Sequence, residues 1–391
     1  MIYLIVFFIS SFLIYLYEKN KTKRMLLIVG LLLPCILAGL RDISIGTDVS
    51  WYVKKIFDAS VFSNNFRDYF DTIILNNPAE GLLYRVSSHE FGFVMVEYLT
   101  QRIFNNFQLL LFILEGLIII PVYFAVKKFD SIRNEKKIWL SMLLYYLLLY
   151  NAGLNAIRQF ISISFLFYGV SCFINNSEKK YQNIIVSFIV AVLFHKSSWM
   201  GIIYYVGYCF LTKQFKLVFS NNRKISSSML LLILILTGGL MFLYIPGLNG
   251  LILSFFNIGY RYSSYIKGTF GISGGFVFCI PIIFIFFINK KNFKKKARKN
   301  YLFYIYCYIL YMLCIQLSTG ATLNASRLSW NFQIFNIVSL PCLFNNLINS
   351  KFESKNISNT ILICMCLFYW FYKIVYRGYY DTYPYKFFFQ I

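Results

Sequence analysis

Charge is what this sequence has least of. Charged residues fill 14% of 391 positions, acids number only 15, and there are two histidines. Soluble domains carry about 25% charged residues, so a freestanding soluble enzyme is excluded. Metal chemistry finds no footing: there is no Cys-x-x-Cys pair, all nine cysteines fall in apolar runs as small hydrophobes, and neither histidine stands at metal-ligand spacing. The basic loops hold no acidic pair or Asp-x-Asp motif for a metal-bound nucleotide sugar, and no repeat recurs at a fixed period. The first apolar run has no basic stretch before it and no small-residue cleavage site after it, so it reads as a transmembrane helix rather than a signal peptide.

Hydrophobic residues are what the sequence has instead, at 59%. Their runs approach the roughly 20 residues that cross a ~30 Å hydrocarbon layer, with short polar gaps between. The expected fold is an all-α polytopic integral membrane protein, one transmembrane domain over 1–391. About twelve crossings are expected, at 1–17, 25–40, 107–126, 138–151, 155–174, 181–194, 198–210, 229–245, 272–288, 301–317, 328–347 and 360–376. The range is ten to thirteen, because 91–126 and 181–212 parse in more than one way. The net charge of +23 concentrates in six short gaps holding 24 of the 38 Lys and Arg and 5 of the 15 acids. By the positive-inside rule these gaps are cytoplasmic, which puts both termini outside and makes the charge a signal of topology and anionic-lipid contact, not of nucleic-acid binding. The outer face then carries two loops, 41–105 and 246–271. In the first, Gly46-Thr47-Asp48 reads as a turn with a helix N-cap. Val49, Tyr52, Val53, Ile56 and Phe57 share one face of the helix that follows, expected to lie on the outer membrane surface. Residues 90–104, interrupted by Glu97, Gln101 and Arg102, read as a re-entrant or surface helix.

Two polar clusters at the ends of apolar runs stand out, Asn155 to Phe160 around Arg158-Gln159, and His195 to Trp199. An ionisable group against hydrocarbon costs about 2.5–3.5 kcal/mol on insertion scales, so it marks a function or a partner. Helix rise puts Arg41, Arg158, His195 and Arg327 at about 24, 24, 21 and 31 Å from the cytoplasmic edge, all near the outer boundary. Guanidinium forks gathered there suit a lipid-linked phosphate or diphosphate. Plainer readings stand beside this one: an arginine near a helix end can snorkel, His195 can hold a turn, Ser197 or Ser198 can cap the next helix, and Asp48 can be a cap alone.

Arg41 with Gly46-Thr47-Asp48 and Tyr52, Glu90-Phe91-Gly92-Phe93, Arg158-Gln159, Phe194-His195-Lys196-Ser197-Ser198 and Arg327 form an ordered set spanning most of the chain. In that set the sequence resembles the EpsG-like branch of the Wzy-type repeat-unit polymerases, which extend O-antigen, capsule or exopolysaccharide. The resemblance implies a GT-C-like membrane glycosyltransferase in the bacterial inner (plasma) membrane. It would polymerise undecaprenyl-diphosphate-linked repeat units at the outer face by inverting transfer, with no cofactor, no essential metal and, as a further partner, a chain-length regulator. Under it Arg158 and Arg327 hold the departing diphosphate, with Arg41 or Arg261 assisting. His195 is the first candidate base, because an ordinary imidazole titrates near neutrality, and Asp48 is the second. Thr47, Tyr52, Glu90, Gln159, Lys196, Ser198 and Tyr262 are the expected substrate contacts. An O-antigen ligase, which shares the donor but has a larger late external loop, and a flippase or transporter, with its charges at the midplane of broken helices, are the alternatives.

Overall fold

Runs of Leu, Ile and Phe can satisfy their backbone in hydrocarbon only as helices or closed barrels, and here they form helices. The computed structural model describes residues 1–77, 82–133, 137–175, 177–211, 274–289, 295–317, 323–347 and 352–389. Among them five helices are long and apolar enough to cross a membrane: Ile2–Lys19, Phe107–Ser131, Ile138–Asn155, Ile157–Ile174 and Asn356–Tyr376. Shorter apolar helices occupy Arg24–Gly39, Lys180–Phe194 and Asn300–Gln316. The protein is therefore an all-α membrane protein, with one small hairpin as the exception. The crossing expected at 229–245 and the loop at 246–271 lie outside the described residues. The chain forms two compact units, Met1–Gly201 with Asn359–Ile391, and Ile202–Ser358.

In the first unit α1 (Ile2–Lys19) and α2 (Arg24–Gly39) pack closely, Ser10 Oγ donating to the Gly30 carbonyl at 2.6 Å. The Glu18 carboxylate, at the basic end, accepts the Ile138 and Trp139 N–H groups at 3.0 Å each. It thereby satisfies two donors that the start of the Ile138–Asn155 helix would leave open. The opposite end gathers Arg41, residues 46–48, Glu90, residues 154–158 and His195, so three of the four residues placed at one depth by helix rise do meet at one end.

That end is covered by 41–105. A π turn (Val49–Val53) leads into α3 (Lys54–Phe62) and α4 (Phe66–Asp71); an antiparallel pair, β1 (Ile73–Asn77) and β2 (Leu82–Arg85), precedes α5 (Phe91–Phe104). The apolar face read from the sequence is present, but it packs on protein, not on lipid: Val49, Val53 and Ile56 are wholly buried, and the Phe57 ring lies 5.4 Å from that of Phe107. Trp51, on the other side, is exposed. The reason is α5, whose buried Phe93, Val94 and Glu97 supply an opposing face. After α6 (Phe107–Arg133) and α7 (Ile138–Asn155), the single non-helical residue Ala156 (φ −115°, ψ 58°) precedes α8 (Ile157–Ile174), followed by α9 (Lys180–Phe194).

The second unit contains most of α10 (Met200–Leu211) with α11 (Gly274–Asn289), α12 (Lys295–Leu317), α13 (Leu323–Gln333) and α14 (Asn336–Leu347). Tyr204 on α10 donates to the Asn331 carbonyl on α13 at 2.7 Å. The single crossing expected at 328–347 is two helices. Phe335 bonds back to Phe332 and Ile337 to Ile334, at 3.2 and 3.4 Å, in place of the four-residue ladder. Pro341, inside α14, has no N–H to return to the Ile337 carbonyl, so that helix lacks a rung soon after the break. Rise along one straight helix therefore does not give the depth of Arg327.

Candidate functional site

The 46–48 turn is seated on the end of α7. Gly46 has φ +82°, and a Cβ there would lie 2.6 Å from the Leu154 carbonyl oxygen, so the backbone passes where no other residue fits. The next residue, Thr47, donates through both its N–H and its hydroxyl to Asn155 Oδ1, at 2.9 and 2.5 Å. Thr47 thus positions the loop instead of offering its hydroxyl to a substrate. Asp48 was expected as a helix N-cap, but its side chain makes no cap bond; its backbone is already helical, and Oδ2 accepts the Tyr52 hydroxyl one turn on.

The Tyr52 oxygen in turn accepts Arg158 Nε at 3.1 Å, and the guanidinium lies over the Tyr52 ring at 4.5 Å and near that of Phe93 at 5.6 Å. Such contacts hold a cation at about 0.5–2 kcal/mol each while leaving it charged. Arg158 Nη1 pairs with Glu90 Oε2, and Glu90 Oε1 accepts the Lys196 N–H at 3.2 Å. Burial acts most strongly on the Glu90 carboxyl and pushes it up, but the Arg158 and His195 charges and backbone donors bring it below its ordinary value, so it is a carboxylate at neutral pH. The Glu90–Lys196 bond forms because two helix ends abut: a Cβ on Gly92 would meet the Leu193 carbonyl at 2.8 Å, and only glycine lets the start of α5 reach the end of α9. The result is a continuous chain from Asp48 through Tyr52, Arg158 and Glu90 to the 195–196 backbone.

His195 closes α9 and caps the short turn Lys196–Trp199. Its Nδ1 accepts the Ser197 N–H at 3.1 Å and lies 2.7 Å from the Ser197 hydroxyl. A backbone N–H can only donate, so the neutral ring carries its proton on Nε2. In this tautomer His195 has a donor, not a lone pair, at Nε2. Ser198, expected to touch substrate, is wholly buried instead; its hydroxyl donates to the His195 carbonyl and meets Ser162 Oγ at 2.8 Å, which holds the turn from beneath.

Arg41 also departs from expectation. It is 2% exposed, donates through Nη1 to the Leu154 carbonyl at 3.2 Å and pairs as backbone with Phe387, so it is sealed in, away from any phosphate at the surface. Gln159 is buried and Lys196 exposed. Arg327 is partly exposed on α13 of the second unit, and Arg261 and Tyr262 lie outside the described residues. Asp48, Tyr52, Glu90, Arg158, His195 and Lys196 are the expected site residues brought together.

Sequence reasoning missed His89. Its ring lies 5.2 Å from those of both Tyr52 and Tyr84, and burial, with the Arg158 charge second, lowers it from 6.5 to about 4. The signal was available: the chain has only two histidines, and one of them directly precedes Glu90. Asn155, one residue of the polar cluster around Arg158, is the anchor of the Thr47 turn.

The profile of the EpsG family matches residues 23–387, nearly the whole chain and every element of this site. The chain belongs to the EpsG family. Membership points to a glycosyltransferase-like membrane polymerase of polysaccharide biosynthesis. Neither a curated protein nor a solved structure gives a significant match to this EpsG-family chain.

Proposed function

We propose that this EpsG-family protein polymerises lipid-linked oligosaccharide repeat units at the outer face of the bacterial cytoplasmic membrane. The fold we infer is GT-C-like, with about twelve crossings and both termini outside, and the donor is a growing glycan on polyprenyl diphosphate. The observation that carries this reading is the Asp48–Tyr52–Arg158–Glu90 chain beside the His195 turn, at the end of the unit opposite its basic loops. It pairs a stacked guanidinium with carboxylates on an otherwise apolar scaffold, and the transfer needs both charge types. The acceptor hydroxyl attacks the anomeric carbon from the face opposite the diphosphate. The carbon–phosphate oxygen bond breaks, a glycosidic carbon–oxygen bond forms, the hydroxyl proton goes to a carboxylate, and the electron pair leaves with the polyprenyl diphosphate. Arg158 is assigned to the diphosphate.

The base is better assigned to Asp48 than to His195. Glu90 spends both oxygens on Arg158 and the Lys196 N–H, and the one lone pair of the neutral His195 ring, on Nδ1, accepts the Ser197 N–H, so the imidazole is a donor rather than a base. A transporter would share the broken helix of the second unit, but the buried residues flanking that break, Asn331, Gln333, Asn336 and Ser339, are uncharged. The test is the surface-glycan ladder of a deletion strain carrying variants. Asp48→Asn, which keeps the Tyr52 bond but loses the basic oxygen, is expected to leave single capped units. His195→Gln, whose amide N–H can replace Nε2–H, is expected to retain chain extension within about tenfold. The reverse pattern returns the base to His195, and unligated long chains in the deletion strain would make the protein a ligase.

A further inference from the structure

Residues 378–388 follow the last helix, α15 (Phe352–Trp370), and its π turn Phe371–Tyr376. They return across the end of the first unit and form an antiparallel bridge with the loop after α2. Asp42 N–H donates to the Lys386 carbonyl at 2.9 Å and Phe388 N–H to the Leu40 carbonyl at 3.0 Å, around the bridge pair Arg41 and Phe387. Gly46 N–H donates to the Asp381 carbonyl at 3.0 Å. On the core side Thr382, wholly buried, accepts Asn151 Nδ2 at 2.9 Å through its hydroxyl and the Tyr3 hydroxyl at 2.8 Å through its carbonyl, while Tyr385 donates to the Leu37 carbonyl at 2.6 Å. Tyr380 and Asp381 have φ of +74° and +51°. Side chains other than glycine hold that conformation only where their surroundings fix it.

The loop so gripped leads directly into Thr47, Asp48 and Tyr52. Of the bonds that seat residues 40–46, three backbone pairs come from this segment, and the remaining anchors, Arg41 on Leu154 and Thr47 on Asn155, flank them. We infer that residues 378–388 are a positioning strap that fixes the Gly46-Thr47-Asp48 turn against the end of α7, and that Thr382, through Asn151, is the positioning residue that fastens it. The consequence for chain extension rests on the polymerase reading above; the strap itself does not.

Two measurements separate them. Hydrogen exchange on the full-length protein in lipid nanodiscs reads the Asp42 and Gly46 amides, and the glycan ladder reads function. Thr382→Val, which removes one hydroxyl at nearly constant volume, is expected to speed exchange at Asp42 and Gly46 by about tenfold or more, through local opening, while amides in 138–155 keep their protection. It is also expected to shorten the glycans, and Thr382→Ser is expected to rescue both. A chain ending at Arg377 should show the same loss more fully; if it fails to insert, the valine and serine pair still decides. Unchanged exchange at Asp42 and Gly46 in Thr382→Val overturns the strap, as does failure of serine to restore a protection that valine removed. A loosened loop with normal glycans keeps the strap and instead removes the 46–48 turn from the catalytic site.

Discussion

At the scale of single residues the site is a set of charges kept in opposite states by their surroundings. Glu90 is a carboxylate below its usual range, held there against burial by Arg158, and His89 next to it is a neutral imidazole lowered to about 4 by burial and, secondly, by Arg158. Both make the outer cap acid-sensitive, in separable windows. Between pH 6.5 and about 4 the unfolded chain protonates His89 and the folded chain does not, so stability falls as pH falls through that range. Glu90 adds stability above its ordinary value of 4.5 that disappears as pH drops further. Tm of the detergent-purified protein is therefore expected to decline from pH 6.5 downward. His89→Gln should flatten the upper window and leave the lower one. An unchanged slope between 6.5 and 4 in that variant would show that His89 is not the group involved. Residue identity at this scale was largely legible: Arg158 and His195 announce themselves as ionisable groups against apolar sequence, and Glu90 comes with the family's motif set. The pairing of Glu90 with Arg158 was not, because they are 68 residues apart and only the packing of the fold brings them together.

Elements decide whether those charges meet. The close approach at Gly92 is the hinge of the arrangement, since α5 carries Glu90 at its start and α9 carries His195 at its end. Gly92→Ala would gain at most about 1 kcal/mol of helix propensity, against about 1–3 kcal/mol for forcing a methyl onto the Leu193 backbone. The backbone of α5 must move, and Glu90 Oε1 then leaves the Lys196 N–H. The variant is expected to insert normally and yield mostly single-unit glycans; a full ladder from Gly92→Ala would mean that this abutment does not set the site. Helical periodicity gave the buried face of the π turn and α3, Val49, Val53, Ile56 and Phe57, but periodicity cannot say whether lipid or protein covers a face. The β1–β2 pair escaped because its strands are five and four residues long, too short for alternation to register. Straight-helix rise put Arg41, Arg158 and His195 at one depth, and the three do meet at one end of the first unit; it gives no depth for Arg327, because the run along which it is measured breaks at Ile334 and Phe335.

Across the whole molecule, composition and the length of the apolar runs carried the fold class, because runs of about 20 residues suit a helix across hydrocarbon, whereas a barrel strand needs about half that. The two ends of the first unit have opposite characters: lysine-rich gaps tied by Glu18 and Lys137 at one, the Asp48–Glu90 chain at the other. Cysteines placed at the exposed Asn64 and Asn20 test which way this points. In intact cells an impermeant thiol reagent is expected to modify the first above the background of the native cysteines and to leave the second unmodified until the membrane is opened. Labelling of Asn20→Cys in sealed cells would invert the topology and put the site on the wrong side for an externalised lipid donor.

The bond from Tyr385 to the Leu37 carbonyl joins positions 348 residues apart. At about 5–20 residues per second of synthesis, the turn before Asp48 leaves the ribosome roughly 17–70 s before the segment that fastens it. For that interval the early helices sit in the membrane with their outer loop unfastened. A translation product that stalls short of residue 378 would therefore be an inserted but catalytically silent protein, so assembly of the site doubles as a check that synthesis has reached that far.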